Sequence, residues 1–161
     1  MKKIKPTIIL GIDPGLATTG FGIIKKDKDK LMLVDYGCIT TRAGLANEKR
    51  LQHINEELNK IIKKYKPDCL AVEQLFFCKN VKTALAVGQA RGVILLTASQ
   101  NRLPIYEYTP LQVKQAISAY GRADKQQVQK MVKLLLQMDK IPTPDDAADA
   151  LAVAICCANS I

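Results

Sequence analysis

Four acidic residues occupy positions where their carboxylates could act together. Asp13 and Glu73 each end a short apolar segment, and Asp146 and Asp149 lie three residues apart near the C-terminus. Residues three apart share one face of a helix, with Cβ atoms about 5–6 Å apart. If the two apolar segments are neighbouring strands, both acids reach the sheet edge where α/β proteins bind ligands. We therefore expect these carboxylates to form one site.

Such a cluster predicts metal chemistry. Four close carboxylates repel one another and raise one another's pKa unless cations neutralise them. Mg²⁺ prefers oxygen ligands and keeps several waters, so one or two carboxylates per ion are sufficient. Two such ions, about 3.5–4 Å apart, can clamp the attacking and leaving oxygens of a phosphodiester. The pattern thus favours two Mg²⁺ ions, with Mn²⁺ as a substitute, and a phosphodiester substrate.

Each acid also has a simpler interpretation. Thr143 and Asp146 have the spacing of a helix capping box, and Asp145 and Asp146 in a first turn would complement the helix dipole. The two strand-end acids could serve in a turn or cap a loop. Asp149 fits a surface role poorly, because its sequence neighbours are almost all apolar. Taken jointly, the four positions favour a metal site.

Charge is unevenly distributed along the chain. Lys plus Arg is 24 and Asp plus Glu is 15, which gives a net charge of +9. Residues 74–133 carry 9 basic and 2 acidic residues, whereas residues 134–161 carry 1 basic and 4 acidic residues. A basic body with an acidic end suggests a polyanion partner beside a cation site. From charge alone, a solvated basic surface is an equally good interpretation.

The composition is that of an ordinary globular chain. Of 161 residues, 48% are hydrophobic and 24% charged, which excludes wholesale disorder. The length predicts one domain over residues 1–161, with a frayed basic extension over residues 1–6. Five cysteines without zinc spacing, beside a single histidine, argue against a zinc site or disulfides. No apolar run approaches the roughly 20 residues of a membrane span and no signal peptide is evident, so we expect a cytoplasmic protein.

Apolar periodicity predicts strands first, and then strands alternating with helices. Predicted strands cover residues 7–12, 21–24, 31–34 (continuing through 36–39), 69–72 and 105–108. Predicted helices cover residues 47–65, 81–100, 110–119 and 125–137, with a last helix from about residue 145. The first three strands fit antiparallel hairpins, with a charged connection over residues 25–30, while the later ones require parallel crossovers. The prediction is an α/β fold with a mixed five-stranded sheet and helices on both faces.

Four sequence motifs resemble those of the RuvC-type Holliday junction resolvases, bacterial endonucleases with an RNase H-like fold. The motifs are ILGIDPG at 9–15, AVEQ at 71–74, GQARG at 88–92 and DAADALA at 146–152. They occur in the family's order and span nearly the whole chain. The resemblance implies that Asp13, Glu73, Asp146 and Asp149 are the catalytic, metal-binding quartet. Asp145 is an extra acid outside that quartet, and some relatives carry histidine where Asp146 stands.

The resemblance also implies a reaction. It is the magnesium-dependent hydrolysis of DNA phosphodiesters at a four-way junction during recombination and repair, by in-line attack of water, leaving 5′-phosphate and 3′-hydroxyl ends. Symmetric cutting of two strands calls for a homodimer, since each chain carries one site. The helix at 81–100 resembles the family's dimer helix, and a branch-migration motor complex is the family's usual partner.

DNA contacts follow from the same resemblance. Phe76 stands where the family has an aromatic that wedges against unpaired bases, and such stacking is worth about 1–3 kcal/mol per base. Lys79 follows in the same loop, and we expect Phe77 to pack into the core. Lys114 and Lys125 match basic positions that contact DNA in the family, although solvated helix lysines are the alternative interpretation.

Three other functions compete with this one. A junction-binding module without cleavage would keep the basic surface but do no chemistry. A related RNase H-like nuclease family trims ribosomal RNA precursors and shares the first-strand motif, although the motifs at 88–92 and 146–152 fit it poorly. The GIDPG string also resembles the first phosphate motif of actin-like ATPases, which need two lobes where this length supplies one.

Overall fold

Strands and helices alternate along residues 5–75, 80–118 and 121–161, the part of the chain that the computed structural model describes. The strands are β1 (Thr7–Asp13), β2 (Thr18–Asp27), β3 (Lys30–Thr40), β4 (Cys69–Glu73) and β5 (Ile105–Tyr108). The helices are α1 (Asn47–Tyr65), α2 (Val81–Gln100), α3 (Pro110–Ile117), α4 (Lys125–Leu135) and α5 (Asp145–Ser160).

The strands form one mixed sheet in the order β3-β2-β1-β4-β5. The pairs β1/β2 and β2/β3 are antiparallel, whereas β1/β4 and β4/β5 are parallel. This arrangement confirms the prediction of three antiparallel strands followed by parallel ones. Parallel strands end at the same edge of a sheet, so the last residues of β1 and β4 become neighbours.

The hairpin between β2 and β3 is tighter than the predicted connection over residues 25–30. β2 continues to Asp27 and β3 starts at Lys30, so only Lys28 and Asp29 form the turn. Lys28 adopts a positive φ of 56°, as a two-residue hairpin turn requires. The prediction was wrong here because half-exposed strand ends tolerate charged side chains, which are equally typical of loops.

Helix α5 lies against one face of the sheet and is buried from Ala147 to Ala158. It contacts β1 and β2 on one side and α3 and α4 on the other, so both sides of the helix require apolar residues. Helices α1 and α2 cover the opposite face around Leu10, Leu58 and Ile94. The order of layers is therefore helix, sheet, helix, as predicted.

Two glycines allow α5 to lie directly on the strands. A Cβ at Gly11 would overlap the carbonyl oxygen of Ala150, and a Cβ at Gly20 would overlap that of Asp146. Gly20 pairs with Asp13 across β1 and β2. The close approach at Gly20 therefore brings the first turn of α5 over the end of β1, where Asp13 stands.

Helix α2 corrects the expectation that no segment resembles a membrane span. Within the described ranges it is the one helix long and apolar enough to cross a membrane, by length and composition only. A core helix of a soluble protein passes the same test, and α2 packs against α1 and β5.

Candidate active site

The strand register places two of the predicted acids side by side. Ile12 of β1 pairs with Val72 of β4, so the next residues, Asp13 and Glu73, both stand at the carboxyl edge of the sheet. Both carboxylates face a cleft of about 250 Å³. Such a crevice beyond the carboxyl ends of parallel strands is where open α/β sheets bind ligands.

Helix α5 brings the other two acids to the same place. Asp149 lines the cleft together with Asp13 and Glu73. Asp146, one turn earlier, lies close enough to Asp13 for its charge to raise the pKa of that carboxyl. The structure therefore brings Asp13, Glu73 and Asp149 to one cleft and places Asp146 beside Asp13.

Burial and mutual repulsion disfavour the charged form of these acids. Burial, followed by the charges of Asp149, Asp146 and Glu73, raises the pKa of Asp13 to about 8. Burial and the Asp149 charge raise the pKa of Glu73, and burial likewise raises that of Asp149. Without added positive charge, the protein holds this cluster ionised only at a free-energy cost.

Two lysines supply part of that positive charge. Lys125, the first residue of α4, lies 3.0 Å from Asp145 and 3.9 Å from Asp149. Its charge lowers the pKa of Asp149 against the effect of burial. Lys114 of α3 lines the same cleft, and its charge opposes the rise in the pKa of Glu73. Two of the three lysines predicted to contact DNA, Lys114 and Lys125, therefore stand beside the acids.

The predicted capping box at the start of α5 is absent, although Asp145 and Asp146 do lie in the first turn, where they complement the helix dipole. Pro144 is the N-cap residue, and Thr143 and Asp146, both within the described chain, do not form a capping box. Asp145 instead accepts a hydrogen bond of 2.8 Å from Gln129 and pairs with Lys125, so its pKa is lowered. Asp145 thus holds the α4 lysine beside the cleft, a role that the sequence did not indicate.

The donor set of the site suits a hard divalent cation, although its side chains are not gathered as metal ligands. Among the described residues, no group of three or more His, Cys, Asp or Glu side chains is arranged to hold a metal ion. Asp146 stands close enough to Asp13 for their charges to repel, and Lys125 faces Asp149. Even so, Asp13, Glu73, Asp146 and Asp149 offer only carboxylate oxygens, which Mg²⁺ prefers, and a cation would relieve their repulsion.

None of the described residues that line the cleft is the single histidine, a cysteine or part of the predicted DNA-contacting loop. Phe76 and Lys79, predicted to contact DNA, and Phe77 and Cys78 lie outside the described residues. His53 is half-buried and lines a different groove, between β3 and α1. Cys69, Cys156 and Cys157 are buried as small apolar residues.

One residue of the site was missed by the sequence analysis. Arg91 of α2 donates a hydrogen bond of 3.2 Å from Nε to the backbone carbonyl of Glu73 and pairs with Glu107 of β5. The signal was present in the sequence, because Arg91 falls on the inward-facing, mostly apolar stripe of α2 at the spacing of Ala84, Val87, Ile94 and Ala98. A charged residue on such a stripe must find partners inside the protein.

Known proteins are similar to this chain over nearly its whole length. A family model described as crossover junction endodeoxyribonuclease RuvC matches residues 9–157. The RuvC of Halothermothrix orenii is 60% identical over 153 residues, covering 95% of this chain and 93% of that protein. The RuvC of Thermosipho melanesiensis is 59% identical over 150 residues, covering 93% and 96%.

Solved structures agree with these matches. A T. thermophilus RuvC in complex with a Holliday junction substrate has a TM-score of 0.89 and 32% identity, covering 93% of this chain and 92% of that one. The yeast mitochondrial Holliday junction resolvase Ydc2 has a TM-score of 0.67 at 15% identity, covering 98% and 80%, and so shares the fold. These similarities confirm the RNase H-like prediction and the resemblance carried by the four motifs.

Proposed function

This chain belongs to the RuvC family of crossover junction endodeoxyribonucleases, and we propose that Asp13, Glu73, Asp146 and Asp149 form the active site with which it resolves Holliday junctions. Family membership makes it an endonuclease, which weighs against the ribosomal RNA and ATPase alternatives. The substrate is a four-way DNA junction, and the products carry 5′-phosphate and 3′-hydroxyl ends. The chain acts as a single nuclease domain over residues 1–161.

The observation that carries this proposal is the convergence of Asp13, Glu73 and Asp149 on one cleft, with Asp146 beside Asp13. Burial, together with the charges of the three other acids, raises the pKa of Asp13 to about 8. An acid cluster of this kind serves no purpose in packing, since neutral residues of similar size would fill the space without repulsion. Groups with strongly shifted pKa values in a cleft mark functional sites.

We assign the binding of Mg²⁺, with Mn²⁺ as a substitute, to the four acids. When bound, two such cations activate water for attack and stabilise the leaving 3′ oxygen. The protein itself holds the ligands: β1 and β4 fix the positions of Asp13 and Glu73, and the approach of α5 at Gly20 fixes that of Asp146. These positions rest on rigid elements, as precise catalytic geometry requires.

Lys114 and Lys125 act on the substrate side of the same cleft. Each presents a compact positive charge next to acids that would otherwise repel a phosphate. We assign them to the DNA backbone on either side of the scissile bond, and Phe76 and Lys79 to the unpaired bases and nearby phosphates at the crossover. Phosphate contacts of this type position the substrate without reading its sequence.

Cleavage of a synthetic four-way junction, with and without Mg²⁺, tests the function. We expect paired cuts on opposing strands only with Mg²⁺ or Mn²⁺, and little cutting of a linear duplex of the same sequence. Ligation of the products would establish 5′-phosphate and 3′-hydroxyl ends. Junction binding without any cutting would instead support the non-cleaving module.

The two cleft lysines give a prediction about affinity. We expect Lys114→Ala or Lys125→Ala to weaken junction binding several-fold and to reduce the slope of log affinity against log salt by about 1. Gel shifts across a salt series without Mg²⁺ measure both quantities. Lys63→Ala, an exposed lysine of α1 on the other side of the sheet, is the matched control. Junction affinity that does not change with salt would contradict the assignment.

A homodimer is the assembly that we propose for symmetric cutting. Helix α2 has a second apolar stripe that faces away from its own chain, with Leu85 64% and Leu96 57% exposed. The exposed residues Leu85, Gly92, Leu96 and Ser99 are spaced by seven, four and three residues, as in a coiled-coil seam, while Gln89 between them accepts a hydrogen bond from Asn47 of its own chain. A Cβ added at Gly92 would meet only open space, so a partner helix can approach closely there.

Acidic side chains on the exposed stripe of α2 should prevent dimerisation. We expect the double variant Leu85→Glu, Leu96→Glu to be monomeric and to lose paired cutting, because two-fold symmetry would bring four new negative charges into one apolar interface. Light scattering after size exclusion measures the mass, and a supercoiled cruciform substrate distinguishes paired cuts from nicks. Leu134→Glu, equally exposed on α4, is the control. A monomeric wild type with paired cutting would refute this assembly.

Two further assignments rest on family membership. We propose that a branch-migration motor complex delivers the junction to this dimer. We also propose a cytoplasmic location, where a bacterial enzyme acting on recombining DNA finds its substrate.

A further inference from the structure

We propose that Arg91 is a positioning residue that holds Glu73 in place from helix α2, an inference that rests on the proposed role of Glu73 in the active site. Arg91 of the GQARG motif has no part in the proposed function so far. Its described contacts are with the backbone of Glu73 and with Glu107, so it would act on the chemistry through the position of Glu73.

The contacts of Arg91 join three elements at the edge of the site. Nε donates to the carbonyl oxygen of Glu73, 3.2 Å away, and the terminal nitrogen pairs with the carboxylate of Glu107. Glu107 of β5 is the register partner of Val72, the residue before Glu73. Arg91 therefore links α2 to the ends of both β4 and β5.

The need for this link lies in where β4 ends. Glu73 is the last residue of the strand, and one more ladder bond follows it, from the amide of Gln74 to the carbonyl of Tyr108, 2.7 Å away. A side chain at a strand terminus is held less firmly than one inside a sheet, because its backbone has fewer neighbours. The bond from Arg91 to the Glu73 carbonyl restrains the backbone from which the carboxylate projects.

Arginine suits this role better than any other cation. The side chain of Arg91 is only 16% exposed, and a half-buried charge is tolerated when its donors are satisfied. The planar guanidinium reaches a carbonyl and a carboxylate at once, whereas a lysine ammonium at the end of a flexible stem does not reproduce that geometry. If packing were its only purpose, a leucine between Val87 and Ile94 would serve.

The position of Arg91 also connects the site with the proposed dimer. Its stripe of α2 faces the sheet, and the opposite stripe carries Leu85 and Leu96, which face the partner. A shift of α2 along the interface would therefore move the group that holds Glu73. Correct docking of the partner subunit on α2 would therefore favour the correct position of Glu73.

Arg91→Lys in the full-length protein tests the inference. We expect the single-turnover cleavage rate at saturating junction to fall about 10- to 100-fold, the range for groups that orient metal ligands. The Mg²⁺ concentration for half-maximal rate should rise, and Mn²⁺ binding without DNA should weaken in parallel. Junction affinity without metal and the melting temperature should stay near wild type. Arg102→Lys, exposed just beyond the same helix, is the matched control.

Glu107→Gln and Glu73→Gln complete the experiment. Glu107→Gln removes only the charge that steadies the guanidinium, and we expect a smaller loss in the same direction with normal melting. If Arg91→Lys unfolds while Glu107→Gln cuts at the wild-type rate and Mg²⁺ midpoint, Arg91 is merely structural and the inference fails. Normal cutting by a folded Arg91→Lys also overturns it, provided that Glu73→Gln is inactive. Normal cutting by Glu73→Gln would instead refute the proposed active site.

Discussion

The Asp146→Asn protein is expected to bind four-way junctions as wild type does, within a few-fold, and to cut them about 100- to 1,000-fold more slowly or not at all. Asparagine keeps the size of the side chain and removes the charge that helps to raise the pKa of Asp13. It removes one negative charge from the cation site, so cations would bind less well or in the wrong place. Affinity is preserved because it comes from basic residues, and one acid fewer reduces repulsion of DNA.

A paired assay measures this separation, with a gel shift in EDTA and a cleavage time course in Mg²⁺. The control is Asp139→Asn, an exposed acid just before α5 that leaves the cleft unchanged. If Asp146→Asn cut at the wild-type rate, Asp146 would only complement the helix dipole and the site would consist of three acids. A parallel loss of binding and cutting would point to misfolding of α5.

The Asp13→Asn protein is expected to be inactive and, without metal, more stable than wild type. Asp13 has an ordinary pKa of 3.8 and a folded pKa of about 8. The folded state therefore retains a proton that the unfolded chain releases between these two values. Each pKa unit corresponds to about 1.4 kcal/mol, so keeping Asp13 protonated while the unfolded chain releases its proton costs the metal-free fold several kcal/mol near neutral pH.

The pH dependence of this effect has a definite sign. Wild-type stability due to Asp13 falls as the pH rises from 3.8 towards 8 and stays low above that value. Asparagine mimics the neutral acid and does not titrate, so the advantage of Asp13→Asn should grow from pH 5 to pH 8. We expect a gain in melting temperature of about 5 °C or more at pH 8.

Thermal melts in EDTA at pH 5, 6.5 and 8 measure the gain, and repeating them in Mg²⁺ tests its cause. Mg²⁺ should raise the melting temperature of the wild type, because a ligand that binds only the folded state stabilises it, and should do so much less for Asp13→Asn. Asp29→Asn, in the exposed β2–β3 turn, is the control. An Asp13→Asn protein that melts at or below the wild type at every pH would contradict the electrostatic account.

Most of the fold was predictable because buried strands and amphipathic helices leave strong periodic signals. Helices α1 and α2 and strand β5 have the predicted limits. The ends of helices and strands were less predictable, because each end depends on the backbone dihedral angles of one or two residues. Helix α4 ends at Leu135 rather than at residue 137, where Gln137 adopts a positive φ of 51°.

The site was predictable as a set of residues but not as a set of contacts. Register and helical spacing are enough to bring Asp13, Glu73 and Asp149 to one cleft. The pairing of Lys125 with Asp145, and of Arg91 with the Glu73 carbonyl, depends on how separate helices dock. How two helices dock depends on tertiary packing, and the spacing of residues along the sequence contains little information about it.

The proposed function requires that Asp13, Glu73, Asp146 and Asp149 together bind the divalent cations that support cleavage. The most direct measurement is anomalous diffraction from crystals of the protein soaked with Mn²⁺ and holding an uncleavable junction. We expect manganese peaks within coordination distance of carboxylate oxygens from β1, β4 and α5, with DNA phosphate oxygens completing the shell. Manganese bound elsewhere in the protein, with this cleft empty and the DNA in place, would contradict it.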